Sequence, residues 1–230
     1  MDCRQREGRV VTVRRGDEMR ILIVGVILAV TVLAGVPRGQ TPGSRAPVPL
    51  FDGRTLDGWE GDRQMFRVEA GAIVGGSLKA RIARNEFLCT TRSYGDFELR
   101  LKVKLLGEGA NAGIQFRTAR IPGDHEVIGY QADMGPGYWG ALYDESRRKK
   151  ILAAPDAATL KGLVKAADWN DYVIRAEGKR VQLVLNGVRT VDYTEDDSSV
   201  DSRGLICVQI HSGPPSEAWY KDIALLDLTR

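Results

Sequence analysis

Phe97-Glu98-Leu99-Arg100-Leu101-Lys102-Val103-Lys104-Leu105 sets five apolar residues in strict alternation with four charged ones. Side chains on a strand point to opposite faces with period two, so this segment buries one face and leaves its charges in water. Such a pattern predicts a strand of an antiparallel sheet with one solvated side. The same reading extends along the chain. Tyr172-Val173-Ile174-Arg175-Ala176 and Val181-Gln182-Leu183-Val184-Leu185 are strand-like. Asn186-Gly187 then supplies the two positive-φ residues of a tight type I′ turn, and Val188 to Tyr193 returns as the partner strand. Ile223 to Leu228 reads as a closing strand. The helical signal is one stretch, Ala157 to Ala167, behind Pro155 and an N-capping Asp156. No repeat of fixed length appears, which argues against a propeller or solenoid. Many short strands, frequent Gly turns and one short helix predict an all-β fold, a two-sheet antiparallel β-sandwich.

Three further strand patterns depart from the norm. In Gly113 to Arg117, Ile114 and Phe116 alternate with Gln115 and Arg117; in Ile128 to Met134, the apolar residues alternate with Gln131 and Asp133. In Leu205 to His211, Ile206, Val208 and Ile210 alternate with Gln209 and His211. Each segment buries one face and offers a pair of hydrogen-bonding groups on the other. Gln/Arg, Gln/Asp and Gln/His together suggest a sheet surface that grips a polar, uncharged ligand, with a sugar as the leading candidate. Between them, Gly135-Pro136-Gly137 makes a turn, and the residues after it fold back beside the Gln131/Asp133 strand. Tyr138, Trp139 and Tyr143 are rings with polar tips, suited to stacking on a pyranose or to core packing. Asp144, Glu145, Arg147 and Arg148 place two acids and two bases close by.

The ends bound the location. Ile21 to Val36 is an apolar-and-small run preceded by Arg20, which reads as the core of an export signal, with Met19 as an alternative start. It is shorter than the ~20 residues of a usual membrane span, so cleavage is expected; the membrane is reached only through this leader if it stays uncleaved. Residues 1–36 are thus expected to be a leader, 37–47 a Pro/Gly/Ser-rich linker, and 48–230 the folded domain of an exported, periplasmic or extracellular protein. Residues 1–47 hold eight Arg and four acids, so of the chain's net +3 the domain itself retains about −1. A near-neutral domain lacks the basic footprint of a nucleic-acid binder. Cys89 and Cys207 both fall in strand-like runs. They can pair in an oxidising compartment, but a domain this large needs no staple, so two buried free thiols are the expectation.

At this point the chain resembles a known family. Leu50-Phe51-Asp52-Gly53-Arg54-Thr55-Leu56-Asp57-Gly58-Trp59 is similar to its opening signature. Ala112 to Arg117, Gly129-Tyr130-Gln131, Gly140 to Asp144, Trp169-Asn170, Leu185-Asn186-Gly187 and Val208 to His211 resemble the later motifs, in the same order. The family is the 3-keto-disaccharide hydrolase domain, over about residues 48–229. Many members carry Glu and Gln where this chain has Gln131 and Asp133. The resemblance implies a concanavalin-A-like jelly roll and an enzyme acting on glycosides already oxidised at C3.

The ketone in such a substrate acidifies the C2 proton; a base removes it, the enolate is held by hydrogen-bond donors, and the C1 leaving group departs, with water able to add back. This chemistry needs a base, an oxyanion stabiliser and a proton source. His211 is the better base by residue type, being one of two His in the chain, with Asp133 as rival or orienting partner. Arg117, with Gln115 or Gln209, is a candidate to hold the enolate oxygen; Tyr143 or Glu145 is a candidate proton source. Gln131, Tyr138, Trp139, Asp144 and Arg147 complete the expected sugar contacts. His125, in the loop Pro122-Gly123-Asp124-His125, reads as solvated. The Glu-x-Asp-x-x-Glu strand pattern of jelly-roll glucanases is absent, which disfavours the usual two-carboxylate hydrolysis. No cofactor is called for, and His211 with Asp133 lacks a clear third ligand for a metal site. The competing reading is a non-catalytic carbohydrate-binding module, which the aromatics and glutamines suit equally well.

Overall fold

The structure, a computed structural model, describes residues 46–229. The expected leader 1–36 and nearly all of the expected linker lie outside these residues. In chain order the elements are β1 (Val48–Pro49), β2 (Trp59–Glu60), β3 (Phe66–Glu69), β4 (Ala72–Ser77), β5 (Glu86–Thr90), β6 (Phe97–Leu106), β7 (Ala112–Arg120) and β8 (Val127–Met134). They continue with β9 (Leu142–Glu145), β10 (Lys150–Ala153), α1 (Ala157–Leu160), β11 (Asn170–Glu177), β12 (Arg180–Leu185), β13 (Val188–Thr194), β14 (Leu205–Ile210) and β15 (Ser216–Asp227). Two antiparallel sheets result. The first runs β13-β12-β11-β6-β15-β4-β3, with β1 added on β15; the second runs β10-β9-β8-β7-β14-β5-β2. The fold is the expected β-sandwich, a jelly roll.

Period-two burial explains why the sheets face each other. On β6, Phe97, Leu99, Leu101 and Val103 are buried while Arg100 is exposed and its charged neighbours only partly covered. These inward residues, with Tyr172 and Ile174 of β11, form one core with Ile114 and Phe116 of β7, Tyr130 and Ala132 of β8, and Val208 and Ile210 of β14. The Phe116 ring stacks on Tyr130 at 5.5 Å and meets Phe97 edge-on at 6.2 Å. Sheet-forming sequence alternation therefore becomes a shared apolar layer, the dominant favourable contribution to such a fold.

Two local expectations behave differently. The Asn186-Gly187 turn forms as read, with φ of +48° and +84°. The helix is shorter than its sequence pattern: Asp156 caps it, accepting from the Thr159 amide at 2.7 Å, but α1 stops at Leu160. Gly162 follows in the left-handed region at φ +71°. Beyond it, the Asn170 side chain takes over the backbone, accepting from the Lys165 amide and donating to the Lys165 carbonyl at 2.8 and 2.9 Å. Those competing bonds hold the segment as a loop.

The expectation of free thiols is overturned: Cys89 and Cys207 form a disulfide. They stand directly opposite each other on β5 and β14, with Cα atoms 3.9 Å apart, a juxtaposition invisible without the strand register. With Phe87 and Val127 they make a small buried apolar cluster on the outer face of the second sheet. The bridge closes a loop of 118 residues. A Cys89→Ala/Cys207→Ala double variant is therefore expected to lose about 2–5 kcal/mol. Urea unfolding of the oxidised wild type and of the double variant, compared at equal pH, measures it.

Candidate active site

The strands bearing the three polar pairs are neighbours in the second sheet, in the order β8-β7-β14. Cys207 lies opposite Gln115, and Gln115 opposite Gln131; Gly113 lies opposite Asp133. Gln115 donates from its amide nitrogen to Oε1 of Gln131. Gln131 in turn donates from Nε2 to Oδ1 of Asp133 at 2.5 Å. Gly113 makes this ladder possible, because a Cβ there would sit 2.6 Å from the Gln131 side chain. Gln115 and Gln209 are both 0% exposed, so they form the floor beneath the site and do not contact a ligand as expected. Sheet-to-sheet bonds hold that floor from below. Tyr172 donates to the Asp133 carbonyl at 3.2 Å, and Tyr220 donates to the carbonyls of Gly113 and Gln209 at 3.2 and 2.6 Å.

Above the floor lies a cleft of about 160 Å³ lined by Asn111, Gln131, Asp133, Tyr138, Tyr143, Glu145 and His211. His211 follows β14 and its amide donates to the Asn111 carbonyl at 3.1 Å. The imidazole Nδ1 lies 2.7 Å from the Ser212 carbonyl oxygen, which can only accept, so in the neutral ring the proton sits on Nδ1 and the lone pair on Nε2. Ser212 is itself fixed, its amide donating to Oδ1 of Asn85 at 3.0 Å, and Asn85 donates onward to Glu126 at 3.1 Å.

The carboxyls here hold protons unusually well. Burial raises Asp133 to about 7; the Gln131 bond opposes this and the nearby Glu145 charge adds to it. Burial also raises Glu145, helped by Glu126 and opposed by the Ser146 amide, His211 and Lys149. Tyr143 is raised by burial and then by the Glu145 and Asp133 charges. Taking a carboxylate out of water disfavours its charged form, so Asp133 keeps a proton close to neutrality and Glu145 holds its proton more tightly than an ordinary carboxyl.

The structure thus brings together His211, Asp133, Tyr143, Glu145, Gln131 and Tyr138, and it excludes several others. Arg117 turns away. β7 carries one extra residue there against both β8 and β14, and Arg117 adopts φ +48° in the resulting bulge. Glycines on both flanks admit that bulge: a Cβ on Gly129 would lie 2.7 Å from the Thr118 Cα, and one on Gly204 would lie 2.5 Å from the Arg117 carbonyl carbon. The guanidinium instead ties the sheets together, donating to the Gly178 carbonyl at 2.7 Å and to Asp96 at 2.9 Å. Bulges re-aim side chains, and an alternation count cannot see them.

Asp144 and Arg147 are also outside the cleft. Between the cleft-facing Tyr143 and Glu145, period two turns Asp144 inward, where it is 0% exposed and paired with Arg147 and Arg148. Arg148 continues to Glu195 at 2.6 Å and holds that carboxyl down at about 2. Trp139 packs against the core. His125 lies beside Asp124 and Glu126 in its loop, 30% exposed and not among the cleft residues. The residue missed was Asn111, whose Oδ1 is buried without a partner. Its signal was present, since Asn111, Gly113 and Gln115 share one face by period two.

Residues 46–226 match the 3-keto-alpha-glucoside-1,2-lyase-like domain family. Comparison with curated protein sequences finds no match. Among solved structures, a candidate glycosyl hydrolase from Parabacteroides distasonis aligns with a TM-score of 0.62 at 19% identity, over 80% of this chain and 95% of that one. The carbohydrate-binding module CBM66 from Bacillus subtilis aligns at 0.57 and 15% identity, over 72% and 93% of the two chains. A Bacillus licheniformis beta-glucanase aligns at 0.52 and 9% identity, over 82% and 100%. At these identities the structural likenesses establish the sandwich fold alone.

Proposed function

The chain belongs to the 3-keto-alpha-glucoside-1,2-lyase-like domain family, and we propose that it is an exported enzyme cleaving 3-keto-glycosides by base-initiated elimination. The observation that carries the reading is one cleft holding an imidazole with a free Nε2 and two carboxyls raised by burial. In a site that only binds, such groups are a needless desolvation cost; perturbed ionisable sets in a cleft mark chemistry.

Roles follow from position across the sheet. His211, at the end of β14, takes the C2 proton on Nε2. The electron pair moves through C2–C3 onto the C3 oxygen, which accepts hydrogen bonds from protonated Asp133, at the centre on β8, and from the Asn111 amide. Asp133 thus replaces Arg117 in the oxyanion role. As the enolate collapses, the C1–O bond breaks and Glu145, on β9, passes its proton to the leaving oxygen, with the Tyr143 hydroxyl beside it. Addition of water across the resulting C1–C2 double bond completes a net hydrolysis. The Cys89–Cys207 disulfide supports export, because such bonds persist in oxidising compartments.

The test is aglycone release from a 3-keto-glycoside and from its unoxidised parent. Turnover of the keto substrate alone is expected, because without the ketone C2–H is too weakly acidic for these bases. Equal rates on both would sink the elimination, and binding of either without turnover would make the domain a carbohydrate-binding module.

A further inference from the structure

Whether His211 can act as a base depends on which ring nitrogen carries the proton, and the hydrogen bond made by one nitrogen sets the state of the other. Two groups of Ser212 compete for Nδ1. The carbonyl oxygen, 2.7 Å away, can only accept and so keeps the proton on Nδ1. The hydroxyl oxygen, 3.5 Å away, can donate, which would leave Nδ1 bare and put the proton on Nε2. The cleft itself favours that second outcome. Asp133 and Glu145 line it with carboxyl oxygens, and Asn111 adds a buried Oδ1 without a partner among the described residues. All three can accept an N–H from Nε2. A bare Nε2 therefore requires that Ser212 be held in one orientation from behind the cleft.

That hold comes from the start of β5. Ile210 pairs with Glu86 in the β14–β5 ladder, so one step further the register brings Asn85 beside His211. There the Asn85 side chain takes over. Its Oδ1 accepts from the Ser212 amide at 3.0 Å, and its Nδ2 donates to Oε1 of Glu126 at 3.1 Å. A backbone amide can only donate and a carboxylate can only accept, so these two partners fix which way the Asn85 amide points. On the other side of Ser212, the Gly213 amide donates to the Ile82 carbonyl at 2.9 Å, and the Ile82 amide donates to the Gly213 carbonyl at 3.1 Å. Ser212 is thereby gripped from both flanks. Neither Asn85 nor Glu126 lines the cleft. From this arrangement, and resting on the elimination reading only for the role of His211, we propose that Asn85, anchored by Glu126, is a positioning residue. It turns the Ser212 carbonyl onto the imidazole, holds neutral His211 as the Nδ1–H tautomer and presents a bare Nε2 to the substrate.

The experiment reads the tautomer directly, by long-range ¹H–¹⁵N correlation on protein labelled with ¹⁵N-histidine, at alkaline pH where the imidazole is neutral. The chain has two histidines, and His211→Ala assigns the signals. The wild type is expected to show Nδ1–H at His211. Asn85→Ala is expected to replace it by Nε2–H or a mixture. The same variant should lower kcat and kcat/KM for a 3-keto-glycoside together by about 10–100-fold, the scale for losing the outer hydrogen-bond partner of a working histidine. The exchange Asn85→Asp/Glu126→Gln keeps an acceptor for the Ser212 amide and reverses the outer bond, so it is expected to restore Nδ1–H. A wild type in the Nε2–H form, or Asn85→Ala with Nδ1–H intact, overturns the positioning role, as does an exchange variant that stays in the Nε2–H form. Should Asn85→Ala not fold, Glu126→Ala is read in the same way: fully retained Nδ1–H overturns the anchored clamp, and a mixture supports it. If the wild type cleaves no 3-keto-glycoside, the elimination reading fails by itself, because the tautomer is measured without substrate.

Discussion

Replacing His211 by Ala is expected to lower kcat/KM for a 3-keto-glycoside by about 10²–10⁴-fold, the usual contribution of a positioned general base. The imidazole is held in place by its Nδ1 contact to the Ser212 carbonyl, 2.7 Å away, and by the Asn111 carbonyl that accepts its backbone amide. Only the side chain is lost in the variant, and that side chain faces the cleft, half-buried, outside the apolar core. Folding should therefore survive, which circular dichroism and a urea midpoint within about 0.5 kcal/mol of wild type establish. A folded variant retaining near-normal rates transfers the base role elsewhere, with Asp133 as the first alternative.

Asp133→Asn should separate activity from stability. In the folded protein burial raises this carboxyl to about 7 from an ordinary value of 3.8. The native state therefore binds the proton more tightly than the unfolded chain does. Stability from this group is fully present below about pH 4 and is lost as pH rises toward and through about 7. Asn is neutral at every pH and still accepts the Gln131 bond. The variant should gain stability over wild type as pH rises, by about 2–4 kcal/mol above pH 7, the scale set by a carboxyl raised from 3.8 to about 7. The kinetic prediction has the same origin. Wild-type kcat/KM should fall above about pH 7 as protonated Asp133 disappears; Asp133→Asn should lack that limb, and Asp133→Ala should lose about 10²–10³-fold, as one oxyanion donor does. Thermal melts and pH–rate profiles from pH 4 to 9 measure both. A retained alkaline limb in Asp133→Asn assigns that limb to the other proton donor, Glu145; near-normal rates in Asp133→Ala remove Asp133 from the donor role, and an Asn variant destabilised at pH 8 contradicts the charge argument.

Both predictions concern residues that the sequence had marked, and for the same reason. A strand whose outward positions are Gln131 and Asp133, or Gln209 and His211, announces chemistry by residue type alone. The ordered motifs around them then identified the family, which the match over residues 46–226 shares. What residue type leaves open is the environment that makes Asp133 hold its proton near neutrality, because that depends on how completely neighbouring strands exclude water.

The sequence by itself determined the all-β sandwich, the half-buried strands, the Asn186-Gly187 turn and the polar face of β7, β8 and β14, because period-two alternation and turn chemistry are local properties. Tertiary structure alone decided the rest. It put Arg117 on Asp96 instead of the cleft, because one extra residue in β7, admitted by Gly129 and Gly204, reverses an alternation that counting treats as unbroken. It joined Cys89 to Cys207, sank Gln115 and Gln209 into the floor, and turned Asp144 toward Arg148 while its neighbours faced the site. Each of these outcomes rests on strand register between segments far apart in the chain, and register is set by which pairings bury the most apolar surface together, a quantity that no single segment contains.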